Sequence, residues 1–163
     1  TVNLRERKED DGYLSEKNTE GKGYFHAMRQ RLAVEEETFR ERIKESALEY
    51  MGTQYRWGGK SSQGIDCSGL TFMSYLNSGL LIYRDASIRE EFPVSPVKQE
   101  DLKTGDLIFF PGHVALYLGN GKYIHSTGYV KTPYVTINSL REEDEDYRED
   151  LAQKITGCGS VFI

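Results

Sequence analysis

The sequence predicts an α+β fold in which N-terminal helices pack on a central antiparallel β-sheet. Helix-period apolar runs fill the first half of the chain and short β-type runs the second, and Gly119-Asn120-Gly121 gives a hairpin signal between two of those runs. The 163 residues suffice for one domain with a real hydrophobic core.

Residues 1–32 form a highly charged segment with turn signals at Asp10-Asp11-Gly12 and Glu20-Gly21-Lys22-Gly23. It has too little apolar material for a core of its own. Packing on the main domain, mobility, or the remnant of a preceding module are all open for it. Residues 33–163 are expected to form the main domain. From Ala33 to Tyr50, Val34, Phe39, Ile43, Ala47 and Leu48 recur near a helical period, and Gly52 suits the stop.

The segment Tyr55-Arg56-Trp57-Gly58-Gly59 and a polar loop follow. A second helix is predicted from Cys67 to Asn77, with Asp66 as N-cap, Leu70, Phe72, Met73 and Leu76 inward, and Gly79 at its end. A loop-rich stretch carries Arg84-Asp85-Ala86-Ser87, Pro93 and Pro96. Strands are expected at 106–110, 113–118, 122–126 and 135–140, a solvated acidic loop at 141–150, and a closing strand at Val161-Phe162-Ile163.

The net charge of −5, with basic residues interleaved among acids, gives no general attraction to nucleic acid or anionic membrane. No run is long and apolar enough for a transmembrane segment, and Thr1 opens no recognisable signal peptide, so the compartment stays open. Of the two cysteines, Cys158 reads as a small buried hydrophobe, and a bridge to Cys67 is the alternative. Neither Cys-x-x-Cys nor His-x-x-x-His occurs, so no metal site and no cofactor are expected. Oligomeric state is not readable.

The chemistry centres on Gly64-Ile65-Asp66-Cys67-Ser68-Gly69-Leu70. A cysteine in the first turn of a helix meets unpaired N–H groups and partial positive charge, and a neighbouring imidazolium adds more, so a thiolate is expected there. The same N–H groups, notably that of Cys67, suit an oxyanion. Two of the three histidines, His113 and His125, flank the hairpin, while His26 lies in the charged segment. A two-residue loop at Asn120-Gly121 would set Gly119 against Lys122 and point the two rings to opposite faces. A three-residue loop would set Leu118 against Lys122 and Ala115 against His125, with both rings on one face. The expectation is therefore the three-residue loop, with His113 as general base and His125 holding its far nitrogen.

Tyr55-x-Trp57-Gly58-Gly59, Gly64-x-Asp66-Cys67-Ser68-Gly69-Leu70, Gly105-Asp106-Leu107-Ile108-Phe109-Phe110 and His113-Val114-Ala115-Leu116-Tyr117-Leu118-Gly119-Asn120-Gly121 resemble the NlpC-type bacterial cell-wall cysteine peptidases, over about residues 40 to 130 plus the closing strand. The resemblance implies a papain-like fold and hydrolysis of the bond between γ-D-glutamate and a diamino acid in peptidoglycan stem peptides. It implies Cys67 as nucleophile, His113 as base and His125 as third polar residue. Tyr55 matches a tyrosine whose hydroxyl reaches the cleft. Asp66 and Ser68 match contacts to the N-terminal L-Ala and γ-D-Glu, Asp66 through a charge-assisted bond to a free ammonium.

Trp57 is left between two positions, a cleft wall or beneath the glycines. Arg84 and Ser87 match a loop near the cleft, although Tyr83 stands where relatives carry proline. Val2-Asn3-Leu4-Arg5 resembles the opening of a bacterial SH3-like domain. The implied partner is peptidoglycan or a muropeptide, met in the cell envelope, outside the cell, or during cytoplasmic muropeptide recycling. Two other readings stand beside this one: a papain-like amidase or acyltransferase on another acyl substrate, and a non-catalytic module binding cell-wall peptide through Tyr55, Trp57 and Asp66.

Overall fold

Phe39, Ile43 and Ala47 stand four residues apart, so one face of a helix carries all three, and this face is buried in helix α1 (Glu36–Leu48). The computed structural model describes residues 36–162, so Val34, His26, Ile163 and the whole of segment 1–32 lie outside the described residues. Glu36 and Glu37 occupy the first turn, where acidic groups complement the helix dipole. Past the helix the chain turns at Gly52 with φ of 76°.

Arg40 was not foreseen in this interior. It is 7 % exposed, donates to Asp106 Oδ1 at 2.8 Å and to the Thr104 carbonyl at 2.7 Å, and lies 4.1 Å over the Phe162 ring. A paired charge thus fastens α1 to the start of a central strand.

Strands β1 (Lys60–Ser61) and β2 (Gly64–Ile65) form a small antiparallel pair, and α2 (Cys67–Asn77) follows directly. The expected inward face of α2 is corrected. Leu70, Thr71, Ser74 and Tyr75 are buried, Phe72 and Met73 are half-buried, and Leu76 is 42 % exposed. The Thr71 and Ser74 hydroxyls bond the Ser68 and Leu70 carbonyls within the helix, so they can face the interior without unpaired groups. Tyr75 donates to the Gly105 carbonyl, which rolls Leu76 outward.

The main sheet is antiparallel in the order β3-β8-β4-β5-β6-β7, from β3 (Ser95–Val97), β4 (Leu107–Phe110), β5 (His113–Gly119), β6 (Lys122–Ser126), β7 (Val135–Ser139) and β8 (Gly157–Ser160). This is the α+β, papain-like arrangement the sequence predicts. Two elements differ. β3 lies in the stretch expected to be loop-rich, and at the sheet edge it tolerates Pro96. The closing strand ends at Ser160, before Val161 and Phe162, which are buried beyond it. A Cβ on Gly159 would stand 2.6 Å from Val94 Cγ1, so glycine is needed for the close approach here.

The hairpin reaches the expected register by another route. The loop is the two-residue Asn120-Gly121, with φ of 52° and 76° as a type I′ turn demands, and Gly119 faces Lys122. A bulge between Tyr117 and Gly119 takes up Leu118, after which Tyr117 faces Tyr123 and Leu116 faces Ile124. Continuing that ladder sets Ala115 against His125. The predicted three-residue loop is thus replaced by a tight turn plus one bulged residue.

Apolar side chains fill both sides of the sheet. Ile43, Leu70, Val114, Leu116 and Ile124 lie in the cluster shared with α1 and α2, while Ile108, Phe110, Ala115, Tyr123 and Cys158 form the second cluster. Cys67 and Cys158 are both free and buried. The 141–150 loop is solvated as expected, with no buried residue, and it is also tied down: Lys122 Nζ lies 2.8 Å from Asp144 Oδ2 and 2.6 Å from Asp146 Oδ1. A short helix, α3 (Glu149–Ala152), follows it. Among the described residues no helix is long and apolar enough to cross a membrane.

Candidate active site

Asp66 caps α2 because its carboxylate accepts the Gly69 N–H at 2.6 Å, and the other oxygen accepts the Gly58 N–H at 2.7 Å. Both contacts depend on small residues. A Cβ on Gly69 would collide with the Gly59 carbonyl, and one on Gly59 with the Gly64 carbonyl. The glycines of the Trp-Gly-Gly turn therefore let that turn lie directly on the helix end that presents Cys67.

Cys67 is 8 % exposed. Burial pushes its thiol above the ordinary range, and the nearby Asp66 charge adds to this, while the N–H groups of Val114, Ser68 and Cys67 itself pull the other way. Burial thus works against the thiolate that the helix end and its N–H groups favour. The Val114 N–H that opposes burial belongs to the opening of β5, one residue beyond His113.

His113 Nε2 and His125 Nδ1 are 2.7 Å apart, with ring planes at 73°. The fold explains the pairing, because Ala115 and Tyr123 belong to the second cluster and strand alternation puts His113 and His125 on the same face. Phe110 lies 5.6 Å from the His113 ring and Tyr123 lies 5.1 Å from the His125 ring, so aromatic groups flank the pair. Burial, then His125 and then Arg148 lower the His113 pKa to about 3. Burial lowers that of His125 to about 4, against a raising hydrogen bond to Asn138. Both imidazoles are neutral at neutral pH.

Tyr55 is half-buried on the chain that bridges to Ile65, and its N–H donates to the Pro133 carbonyl at 2.8 Å. Burial, then the Cys67 and Asp66 charges raise its pKa, so its hydroxyl stays a donor within electrostatic reach of both. Trp57 is 86 % exposed, so it does not lie beneath the glycines. Ser68 is buried, and its Oγ accepts from Arg84 Nη1 at 2.6 Å. Arg84 Nη2 also lies 3.0 Å from Asp66 Oδ1. Arg84, matched only to a loop near the cleft, thus joins the two residues flanking Cys67. Ser87 lines a shallow neighbouring crevice together with Thr71, Tyr83, Arg89 and Val114.

Two residues escaped the sequence reading. Asn138 Oδ1 lies 2.9 Å from His125 Nε2, and Arg148 influences both imidazoles while stacking 4.3 Å over the Tyr129 ring. Only β6–β7 pairing brings Asn138 there, and no local motif marks it. Arg148 sits in the acidic run that suggested solvent exposure. A buried thiol at a helix start and a hydrogen-bonded imidazole pair are groups suited to nucleophilic attack on an acyl carbon.

Residues 52–149 match the model of the NlpC/P60 family. The chain is 52 % identical over 128 residues to dipeptidyl-peptidase 6 of Lysinibacillus sphaericus, covering 78 % of this chain and 46 % of that protein. It is 41 % identical over 85 residues to the γ-D-glutamyl-L-lysine dipeptidyl-peptidase of Bacillus cereus, covering 47 % of this chain and 25 % of that one. The crystal structure of an NlpC/P60 family protein from Bacillus cereus superposes with a TM-score of 0.63 at 30 % identity, covering 76 % of this chain and 40 % of that one. The chain therefore spans less than half the length of these relatives.

Proposed function

This chain belongs to the NlpC/P60 family, and from that premise we propose that it is a cysteine peptidase cleaving the γ-D-glutamyl–diamino acid bond of peptidoglycan stem peptides. The observation that carries the reading is the 2.7 Å contact between His113 and His125, together with a buried Cys67 at the start of α2. Two relatives named as dipeptidyl-peptidases, one of them for γ-D-glutamyl-L-lysine, support the choice of bond. Residues 33–163 would form the catalytic unit, acting on peptidoglycan or its fragments in the envelope or outside the cell, or on recycled muropeptides in the cytoplasm.

The cycle starts from neutral partners. His113 takes the thiol proton as Cys67 Sγ attacks the γ-carbonyl carbon, so charge develops only once substrate is bound. The oxyanion accepts the Cys67 N–H at the helix end, and the Tyr55 hydroxyl is a second donor at hand. Collapse breaks the C–N bond, and the His113 proton goes to the leaving amine. Water, deprotonated by His113, then cleaves the thioester, releasing the γ-D-glutamyl acid and returning the proton to sulfur.

Asp66 and Ser68 would meet the N-terminal L-Ala and the γ-D-Glu, and Trp57 would wall the cleft. Because Arg84 already pairs with Asp66, a substrate ammonium would share that carboxylate with it. Mass spectrometry of products from L-Ala-γ-D-Glu-diamino acid tripeptides, a D,D-cross-linked dimer and intact sacculi tests the assignment. Release of L-Ala-D-Glu from the tripeptide supports it, and cleavage confined to the D,D cross-link overturns it.

A further inference from the structure

We infer that Asn138 is a positioning residue that sets the tautomers of both imidazoles, and thereby which His113 nitrogen can take a proton; the inference rests on the Cys67–His113 reading above. The Asp146 carbonyl can only accept, so the Asn138 atom 2.8 Å from it is the amide nitrogen Nδ2. Asn138 Oδ1 consequently faces His125 Nε2 at 2.9 Å, and an amide oxygen only accepts, so His125 carries its hydrogen on Nε2. His125 is fully buried and neutral, which leaves a lone pair on Nδ1. The 2.7 Å contact then requires His113 to donate from Nε2. Neutral His113 has its lone pair on Nδ1, and among the described residues that nitrogen makes no hydrogen bond. It is the one nitrogen of the pair left to act as a base.

The far end of this chain is anchored independently of the site. Asn138 stands opposite Tyr123 in the β6–β7 ladder, diagonal to His125. The Asp146 carbonyl also accepts the Ser139 N–H at 3.1 Å, and the loop bearing it is pinned through Lys122, Asp144 and Asp146. The other titratable groups bearing on the rings are Arg148 on His113, and Arg148 and Asp150 on His125, with Tyr123 in ring contact. None of these supplies an acceptor at His125 Nε2. Without Asn138, His125 is free to carry its hydrogen on Nδ1. It would then donate to His113 and push the His113 hydrogen onto Nδ1, where a base is needed.

The test is ¹H–¹⁵N correlation of the imidazole nitrogens at neutral pH, in the protein and in Asn138→Ala and Asn138→Asp, alongside steady-state kinetics on the tripeptide. The wild-type protein should show Nε2–H on both rings. In Asn138→Ala, Nδ1–H forms should appear and kcat should fall at least about tenfold with KM unchanged; roughly 10⁴, the loss a wrong tautomer causes in a serine triad, is the ceiling. Asn138→Asp keeps an oxygen at His125, so it should retain Nε2–H and move the acid limb of kcat/KM to higher pH. Unaltered Nε2–H tautomers in Asn138→Ala, whatever its activity, overturn the inference; should that variant not fold, an unmoved acid limb in Asn138→Asp does so. The tautomers are read without turnover, so a failure of the peptidase reading itself would show separately, as product still formed by Cys67→Ala.

Discussion

Arg84 Nη1 donates to Ser68 Oγ at 2.6 Å, so the residue after the thiol is held by a guanidinium from the loop that follows α2. The same guanidinium reaches Asp66 on the other side of Cys67. Two flanking residues are thereby fixed by one planar group. A lysine ammonium is a point donor and cannot reproduce that fork. Arg84→Lys is expected to lower kcat/KM on the tripeptide at least about tenfold, since a charged hydrogen bond contributes about 1.5–3 kcal/mol. Steady-state kinetics checks it, and an unaltered kcat/KM would show that the bridge does not shape the site.

The Arg40–Asp106 pair carries a stability prediction. Both groups are buried, so Asp106→Ala would remove the guanidinium's buried carboxylate and leave it only the part-exposed Glu36 and the Thr104 carbonyl. The expected loss is roughly 3–5 kcal/mol, read from urea unfolding midpoints. Replacing both by apolar residues of similar volume should recover most of it.

The bulge predicts tolerance where intolerance would be expected. Leu118 is the extra residue between the Tyr117–Tyr123 and Gly119–Lys122 pairs, so its deletion leaves the ladder toward His125 unshifted. The deletion variant should keep measurable peptidase activity at a reduced melting temperature. Complete inactivity in a folded variant would show that the bulge does more than absorb a residue.

Acid should destabilise the fold through its histidines. The folded pKa values of His113 and His125, about 3 and about 4, lie below the unfolded value near 6.5. The unfolded chain then binds more protons between these limits, so stability rises with pH there. The contribution is complete above about pH 6.5 and is lost as pH falls toward the folded values, by up to about 1.4 kcal/mol per histidine per pH step of one. Urea midpoints at pH 7 and pH 5 measure it, and His125→Gln should flatten the difference.

Local chemistry was legible in the sequence. The Asp66 cap and the Cys67 helix start each depend on a few adjacent residues whose side chains decide the geometry. Features set by distant partners were not. Arg40 reads as solvent-facing until Asp106 is beside it, Leu76 reads as core until Tyr75 finds Gly105, and Asn138 carries no signal until β7 pairs with β6. The hairpin lies between these cases: its place at Gly119-Asn120-Gly121 was visible, but the two-residue turn and the bulge that aligns the histidines were not, because a bulge answers to the whole ladder.

The central claim is that the Cys67 sulfur becomes acylated by the γ-glutamyl group. Acid-quenched intact-protein mass spectrometry during tripeptide turnover, with peptide mapping, tests it most directly. The account predicts an L-Ala-γ-D-glutamyl thioester on Cys67 and neither adduct nor product with Cys67→Ala. Product released by Cys67→Ala at an undiminished rate, or an adduct mapped to Cys158, would contradict it.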